Sequence, residues 1–223
     1  MEQQINDIKK IYQNRQNDKN LIGKYQGIYS YNISKEREAV YDKIIRKQFS
    51  NIDKLNMLEV GVGTGGNLPF FIQLGIPNSN IFANEIMEDR VKLLKTNYPE
   101  ISVIEGNAIE ININQKFDIV FQSTVFTSIL SDKFRKELAA KMWELLNDKG
   151  IVLWYDFIYD NPQNKNVKKV TKQEIKSLFP NANKFEFYSV TLAPPIGRRV
   201  GKLYFFFNQF KFLRTHIIAV IHK

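Results

Sequence analysis

The stretch LEVGVGTGG at residues 58–66 constrains this chain more than any other part of it. An apolar segment runs into Gly61, Gly63, Gly65 and Gly66, and a helix-patterned stretch follows at once. Glycines are needed where a backbone turns tightly out of a strand and leaves its amides open to a ligand, because a Cβ would block the approach. Strand, glycine turn and helix in that order mark a parallel sheet with crossover helices, and the chain repeats the pattern.

Strands are predicted at LNMLEV (55–60), NIFANE (80–85), ISVIEG (101–106), FDIVFQ (117–122) and GIVLWYDF (150–157). Helices fall between them at 66–74, 87–97 and 132–147, the last with Phe134, Leu138, Met142, Leu145 and Leu146 on one stripe. Beyond Asp156, a loop rich in Asn, Asp and Pro leads to a short helix at 171–179, a strand at 185–193 and a closing strand at 213–221. PPIGRRVGKLYFFFNQFKF (194–212) between those strands is too long for a hairpin turn and is partly helical in pattern. Its aromatic run, Tyr204 to Phe207 with Phe210 and Phe212, is expected to cap the sheet by packing on it.

On the N-terminal side, residues 1–20 have a helical pattern and residues 23–34 form a loop bearing glycine and tyrosine. Ser34 opens a helix with Arg37 and Glu38, whose apolar face is Ala39, Ile44, Ile45 and Phe49. The expectation is an N-terminal helical segment or lid over 1–50, followed by a doubly wound, Rossmann-like α/β domain over 51–223.

Composition removes several kinds of chemistry. With 43% hydrophobic and 25% charged residues the chain has a globular composition. It contains no cysteine, which excludes disulfides, thiolate metal sites, iron–sulfur clusters and cysteine nucleophiles. Two histidines, His216 and His222, leave little for a metal centre, and none is expected. No apolar run is long enough to span a bilayer and MEQQINDIKK is polar, so a cytoplasmic location is expected. The net charge of +9 suits an anionic partner, yet the lysines are scattered and no dense basic run points to nucleic acid.

The glycines alone fit two cofactors. As G-x-G-x-x-G (Gly61, Gly63, Gly66) they match a dinucleotide turn, and as E-x-G-x-G-x-G (Glu59, Gly61, Gly63, Gly65) an S-adenosylmethionine turn. Three other residues decide for the second. Glu59 puts a carboxylate beside the turn, which suits ammonium and sulfonium charges and would repel a pyrophosphate. Glu85 ends the second strand, 20 residues after Gly65, where a carboxylate can accept from ribose hydroxyls. Asn107 follows the third strand where adenine would be read, with Ala108 offering a backbone N–H. Asn67 and Ile86 complete the candidate cofactor set, with Gln122 and Ser123 after the fourth strand.

These residues resemble the class I S-adenosylmethionine-dependent methyltransferases. Within that class the chain is similar to a bacterial group associated with surface-polysaccharide (capsule or O-antigen) biosynthesis. The cofactor motifs span 57–123, and more specific stretches are FDIVFQSTVFTSIL (117–130), GIVLWYDF (150–157), EIKSLFP with VTLAPPIGRR (174–199) and FLRTHIIAVIHK (212–223). With the KEREAVYDKI helix, the similarity runs over about 25–223. The resemblance implies a seven-stranded sheet with an antiparallel last strand, an S-adenosylmethionine site (product S-adenosylhomocysteine) and methyl transfer. Asn107 departs from the family's usual Asp, which keeps a hydrogen bond and removes a charge.

Ligands of open α/β sheets bind beyond the carboxyl ends of the parallel strands. That selects Gln122, Ser123 and Thr124, then Tyr155 and Asp156, and an antiparallel last strand adds Arg214 and His216. His216 and Asp156 are the candidate bases for an alcohol acceptor. Each also has a structural reading, His216 as a hydrogen-bonded histidine of a central strand and Asp156 as a cap at a strand end. Tyr31, Arg37, Phe126, Tyr155, Arg198, Arg199 and Arg214 are the candidate acceptor-binding residues, with Lys202 beside the arginines and Tyr25 and Tyr29 in the lid. The expected acceptor is a small anionic or nucleotide-activated sugar or a related glycan precursor, methylated on oxygen. The rivals are a nucleic-acid methyltransferase, a nicotinamide-dependent dehydrogenase and a non-catalytic cofactor-binding module.

Overall fold

The computed structural model describes residues 27–160 and 164–223, with Ile5, Asn6, Lys9, Lys10 and Gln13 of the N-terminal segment. The expectations for Tyr25 and for most of residues 1–20 lie outside the described residues.

Among the described residues seven strands form one sheet: β1 (Met57–Val60), β2 (Ile81–Glu85), β3 (Ser102–Glu105), β4 (Phe117–Ser123), β5 (Leu146–Phe157), β6 (Lys184–Leu192) and β7 (Arg214–His222). Their spatial order is β3-β2-β1-β4-β5-β7-β6. Strands β1 to β5 pair in parallel, whereas β7 runs antiparallel between β5 and β6. The order reverses at β1, so the crevice beyond β1 and β4 is the topological switch point where such sheets take ligands.

The helices follow from local chemistry. Helix α1 (Ile28–Gln48) precedes the sheet and α2 (Leu68–Leu74) follows the glycine turn, with a proline in its first turn and Gly75 closing it at φ 113°. Helix α3 (Glu88–Asn97) links β2 to β3 and begins with Glu88 and Asp89. The side chain of Ser131 caps α4 (Asp132–Leu145) and that of Thr171 caps α5 (Lys172–Leu178), each accepting from the N–H three residues on. Two short helices, α6 (Pro194–Val200) and α7 (Tyr204–Phe207), occupy the connection from β6 to β7.

Alternating side chains divide the core between the two faces of the sheet. One face buries Met57, Phe121, Leu153 and Ile218 under Tyr41, Ile44 and Ile45 of α1 and Phe71 of α2. The other buries Leu58, Val120, Trp154 and Ile217 under Phe134, Leu138 and Met142 of α4 and Ile175 of α5.

Three expectations are corrected. Helix α1 begins at Ile28, so 28–34 is helical and not loop; its inward residues there are Tyr29, Asn32 and Glu36, at helical spacing but largely polar, which an apolar pattern does not register. Strand β5 starts at Leu146, because Leu146 already pairs with Phe117 before a register shift. The aromatic run caps the body only through Tyr204 and half-buried Phe207, while Phe205, Phe206, Phe210 and Phe212 are exposed.

Candidate active site

The turn after β1 holds Gly61, Gly63 and Gly65 at φ 65°, 63° and 88°, in the left-handed region that disfavours a Cβ. A Cβ on Gly61 would come within 2.7 Å of Val125 Cγ2, and one on Gly65 within 2.9 Å of the Tyr98 ring. Gly66 is not in that region and has open space around it. The three glycines under conformational demand are those of E-x-G-x-G-x-G.

Glu59 projects from the last turnward residues of β1 and is 1% exposed. Its Oε1 accepts from Asn67 Nδ2 at 2.7 Å, while its Oε2 is buried with no hydrogen-bond partner. Burial pushes its carboxyl up to about 8 against the lowering effects of Asn67 and Arg37. A buried acceptor without a donor is costly, so this oxygen is chemically incomplete until a cationic or donating group meets it.

Glu85 ends β2, and its carboxylate accepts from the N–H groups of Gly63, Ile86 and Met87 at 2.8, 2.9 and 2.9 Å. It therefore ties the glycine turn to the end of the neighbouring strand. Burial raises its pKa while those amides lower it. A cleft of about 430 Å³ opens beside it, lined by Lys9, Gln13, Ile86, Met87, Glu88, Asp89 and Lys92. Asn107 lies beyond β3, where its Oδ1 accepts from Ile109 N and its Nδ2 donates to Glu110, capping the turn of which Ala108 is the first residue.

Gln122 and Asp156 are placed together, both fully buried, on the α4 face. Asp156 accepts from Thr127 Oγ1 at 2.6 Å and from Gln122 Nε2 at 3.0 Å, and Gln122 Oε1 accepts from Val125 N. The pair fixes the loop after β4, with burial holding Asp156 up at about 7. Phe126 is also core, its ring 4.1 Å from that of Trp154, and has no surface to offer an acceptor.

A second group gathers on the α1 face. Arg37 donates to Ser123 Oγ at 3.2 Å and lies 4.7 Å from the Tyr155 ring centroid, while its Nε is buried without a partner. The His216 ring stacks on Tyr155 at 5.1 Å and 12°, with its Nδ1 3.0 Å from Thr215 Oγ1. Burial, with the Arg37 charge, pulls His216 down to about 3, so the ring is neutral. The candidate bases His216 and Asp156 thus stand on opposite faces of the sheet.

The remaining expected residues lie around this group. Tyr31 is 61% exposed on the outer side of α1. The Arg198 guanidinium is 5.9 Å from the Tyr29 ring centroid, and Arg199 is exposed. Arg214 donates to the carbonyls of Ser189 and Asn208, which gives its guanidinium a bracing role at the start of β7.

Several site residues escaped sequence reasoning. Glu36 is buried and accepts from Thr191 N at 3.0 Å, Tyr204 Oη at 2.7 Å and Asn208 Nδ2 at 2.6 Å. Thr191, whose Oγ1 is 3.0 Å from Tyr155 Oη, has φ 63°, and Thr124, already selected from its place after β4, has φ 59°. Both are β-branched residues in the left-handed region, a strain that clusters at functional edges. Asn84 donates to the carbonyls of Ile104 and Gly106, joining β2 to β3. Only Asn84 carried a sequence signal, a polar residue inside an otherwise apolar strand.

Comparison with known proteins agrees with this geometry. Residues 57–150 match the family model described as a methyltransferase domain. A bifunctional methyltransferase of Rickettsia bellii is 30% identical over 94 residues, which is 40% of this chain and 16% of that protein. The chain therefore spans about a sixth of the length of this curated relative. Among solved structures, an S-adenosylmethionine-dependent methyltransferase from Archaeoglobus fulgidus has a TM-score of 0.58 at 16% identity, covering 87% of this chain and 99% of that one. An amino pentose methyltransferase from Micromonospora echinaspora, solved with S-adenosylmethionine, has a TM-score of 0.58 at 14% identity over 89% and 92% of the chains. A Burkholderia thailandensis 1,6-didemethyltoxoflavin N1-methyltransferase, solved with its substrate and S-adenosylhomocysteine, has a TM-score of 0.54 at 16% identity over 76% and 71%. The fold is the one these methyltransferases share. No helix among the described residues is long and apolar enough to cross a membrane.

Proposed function

We propose that this chain is an S-adenosylmethionine-dependent methyltransferase acting on an oxygen of a small anionic acceptor. The observation that carries the cofactor reading is the unpartnered, buried Glu59 Oε2 beside three glycines in the left-handed region. When bound, S-adenosylmethionine supplies a methyl group made electrophilic by its sulfonium. Glu59 and Asn67 would hold the cationic amino-acid end, and Glu85 still has lone pairs for ribose hydroxyls beside the 430 Å³ cleft at Ile86.

The acceptor side is the Arg37, Ser123, Tyr155 and His216 group. Arg37 offers a planar cation and an unused Nε–H to an anionic group, with Arg198 near Tyr29 as a further cation. Methyl transfer gains chiefly from positioning and exclusion of water, which suits a group this enclosed. A phosphate or carboxylate oxygen attacks without help. For a hydroxyl acceptor, neutral His216 takes the proton at Nε2, provided that its Nδ1–H donates to Thr215 Oγ1.

Similarity to the surface-polysaccharide group supports a nucleotide-activated sugar or related glycan precursor in the cytoplasm as the acceptor, with α1 (Ile28–Gln48) forming one wall of the site. Calorimetric titration with S-adenosylhomocysteine and with NAD tests the cofactor, and only the first is expected to bind. Screening activated sugars and phosphorylated relatives for S-adenosylhomocysteine release tests the acceptor; tight cofactor binding with no turnover on any of them would leave the non-catalytic binding module in its place.

A further inference from the structure

The connection between β6 and β7 has two chemically opposite sides. Tyr204 and Asn208 turn inward, where both donate to Glu36 of α1. The outward side carries Leu203, Phe205, Phe206, Phe210 and Phe212, exposed to between 44% and 80%. Single exposed apolar residues are ordinary on any surface; five within ten residues are not. The rings also touch one another, with centroids 6.1 Å apart for Phe206 and Phe210 and 6.0 Å apart for Phe210 and Phe212, so they make one patch.

Cations flank the patch along the chain. Arg198, Arg199, Lys202 and Lys211 are all exposed, and no Asp or Glu occurs anywhere after Glu186. Aromatic side chains beside a one-signed basic rim fit the boundary between headgroups and acyl chains of an anionic bilayer, where rings enter the interface and lysines meet phosphates. A second copy of the chain fits poorly, because twofold pairing of this face would bring its cations against one another.

We propose that the face formed by residues 198–212 seats the protein on the surface of an anionic lipid bilayer. The segment is held to the body through Glu36, which also binds Thr191 N, and Thr191 Oγ1 contacts Tyr155 Oη. Seating it therefore fixes how the carboxyl edge of the sheet faces the membrane. This inference is independent of the acceptor's identity.

The full chain would be tested by flotation with phosphatidylcholine vesicles, with and without phosphatidylglycerol. Flotation is expected only with the anionic vesicles and is expected to weaken with salt. Lys202→Ala and Lys211→Ala should each weaken it about fivefold, as expected for a cation at a charged membrane surface. Joint replacement of Phe205, Phe206, Phe210 and Phe212 by Ser should abolish flotation while leaving S-adenosylhomocysteine affinity unchanged, which also reports that the variant is folded. Phe206→Trp should show a blue-shifted emission on anionic vesicles, a readout that needs no destabilising change. Absence of flotation with anionic vesicles, flotation unaltered by the lysine and serine variants, a patch-dependent dimer in its place, or retention on single-stranded RNA without vesicle binding would each overturn the proposal.

Discussion

Arg37 and Tyr155 meet across the carboxyl edge of the sheet, the guanidinium carbon 4.7 Å from the ring centroid, although one lies on α1 and the other near the end of β5. The contact leaves Arg37 Nε buried without an acceptor and brings Nη1 to Ser123. Under the proposed function, a planar cation over the ring with a donor still to give would recognise an anionic acceptor. Arg37→Lys keeps the charge but loses the plane and the fork. It is expected to raise the acceptor KM about tenfold or more while changing S-adenosylhomocysteine affinity less than about twofold, from the usual worth of a charged hydrogen bond. Parallel steady-state kinetics and calorimetry check this, and an equal loss in both would move Arg37 to the cofactor's side.

The glycines of the turn can be told apart by substitution. Gly61 sits at φ 65° with Val125 Cγ2 2.7 Å from where a Cβ would be, whereas Gly66 has no such conflict. Gly61→Ala should destabilise the protein by about 1–2 kcal/mol from backbone conformation alone and weaken cofactor binding with it. Gly66→Ala should be tolerated, with melting temperature and S-adenosylhomocysteine affinity near those of the parent. Damage from Gly66→Ala equal to that from Gly61→Ala would favour the dinucleotide form of the motif.

Glu59 gives a proton-linked signature. With its carboxyl held up at about 8 by burial, the group is mainly protonated at pH 7 in the free protein. Because this pKa is raised above its unfolded value, the associated stability is present below about pH 4.5 and is lost as pH rises through about 8. A cationic ligand group at Oε2 favours the ionised form, so binding at pH 7 should release about one proton. Titrations in buffers of different ionisation enthalpy measure that release, and Glu59→Gln should abolish it. Release undiminished in the variant would sink the assignment of the ammonium to Glu59.

Much of this could be anticipated from residue order, and the exceptions share a cause. Strands β1 to β4 and helices α2 to α5 announce themselves through apolar period, caps and turn glycines, which are local signals. The first turns of α1 bury Tyr29, Asn32 and Glu36, and polar burial can be recognised only when its partners are known. Those partners, Leu192, Gly201 and Thr191, are more than 150 residues away. Gln122 and Asp156 illustrate the same limit. Both stand at the carboxyl ends of strands, where a ligand would meet them, but strand alternation turns them to the α4 face, where they satisfy one another. Tyr155, the neighbour of Asp156 in β5, and His216, the neighbour of its register partner Ile217 in β7, face α1 instead.

Glu36 is the keystone of the connection between β6 and β7, since its carboxylate accepts from a backbone amide of β6 and from the tyrosine hydroxyl and asparagine amide at the two ends of α7. Glu36→Gln replaces one acceptor oxygen with an NH₂ that must face donors. A loss of about 1–3 kcal/mol is expected, the cost of leaving a buried hydrogen-bonding group without its partner. Urea denaturation measures it, and a loss under about 1 kcal/mol would show that the network rearranges freely.

His216 separates the two kinds of acceptor. If the nucleophile is a hydroxyl, His216→Asn should lower kcat by about 10²–10⁴-fold, the usual contribution of a general base. If it is a phosphate or carboxylate oxygen, kcat should hardly change. The pH behaviour supplies an independent check on the ring's environment. With its pKa pulled to about 3 from an ordinary 6.5, His216 stays neutral in the folded chain while the unfolded chain takes up a proton below about 6.5. The unfolded state then binds more protons between those values, so this group's share of stability is complete above about 6.5 and is lost as pH falls towards 3. Asp156, raised to about 7, acts in the opposite sense, its share being lost as pH rises through that value. Melting curves of the parent and of His216→Phe over pH 4–7 isolate the histidine, because Asp156 and Glu59 are common to both. The variant should lose less stability than the parent on acidification, and identical slopes would mean that the ring titrates in the folded protein as it does in water, open enough to solvent to contradict its burial against Tyr155.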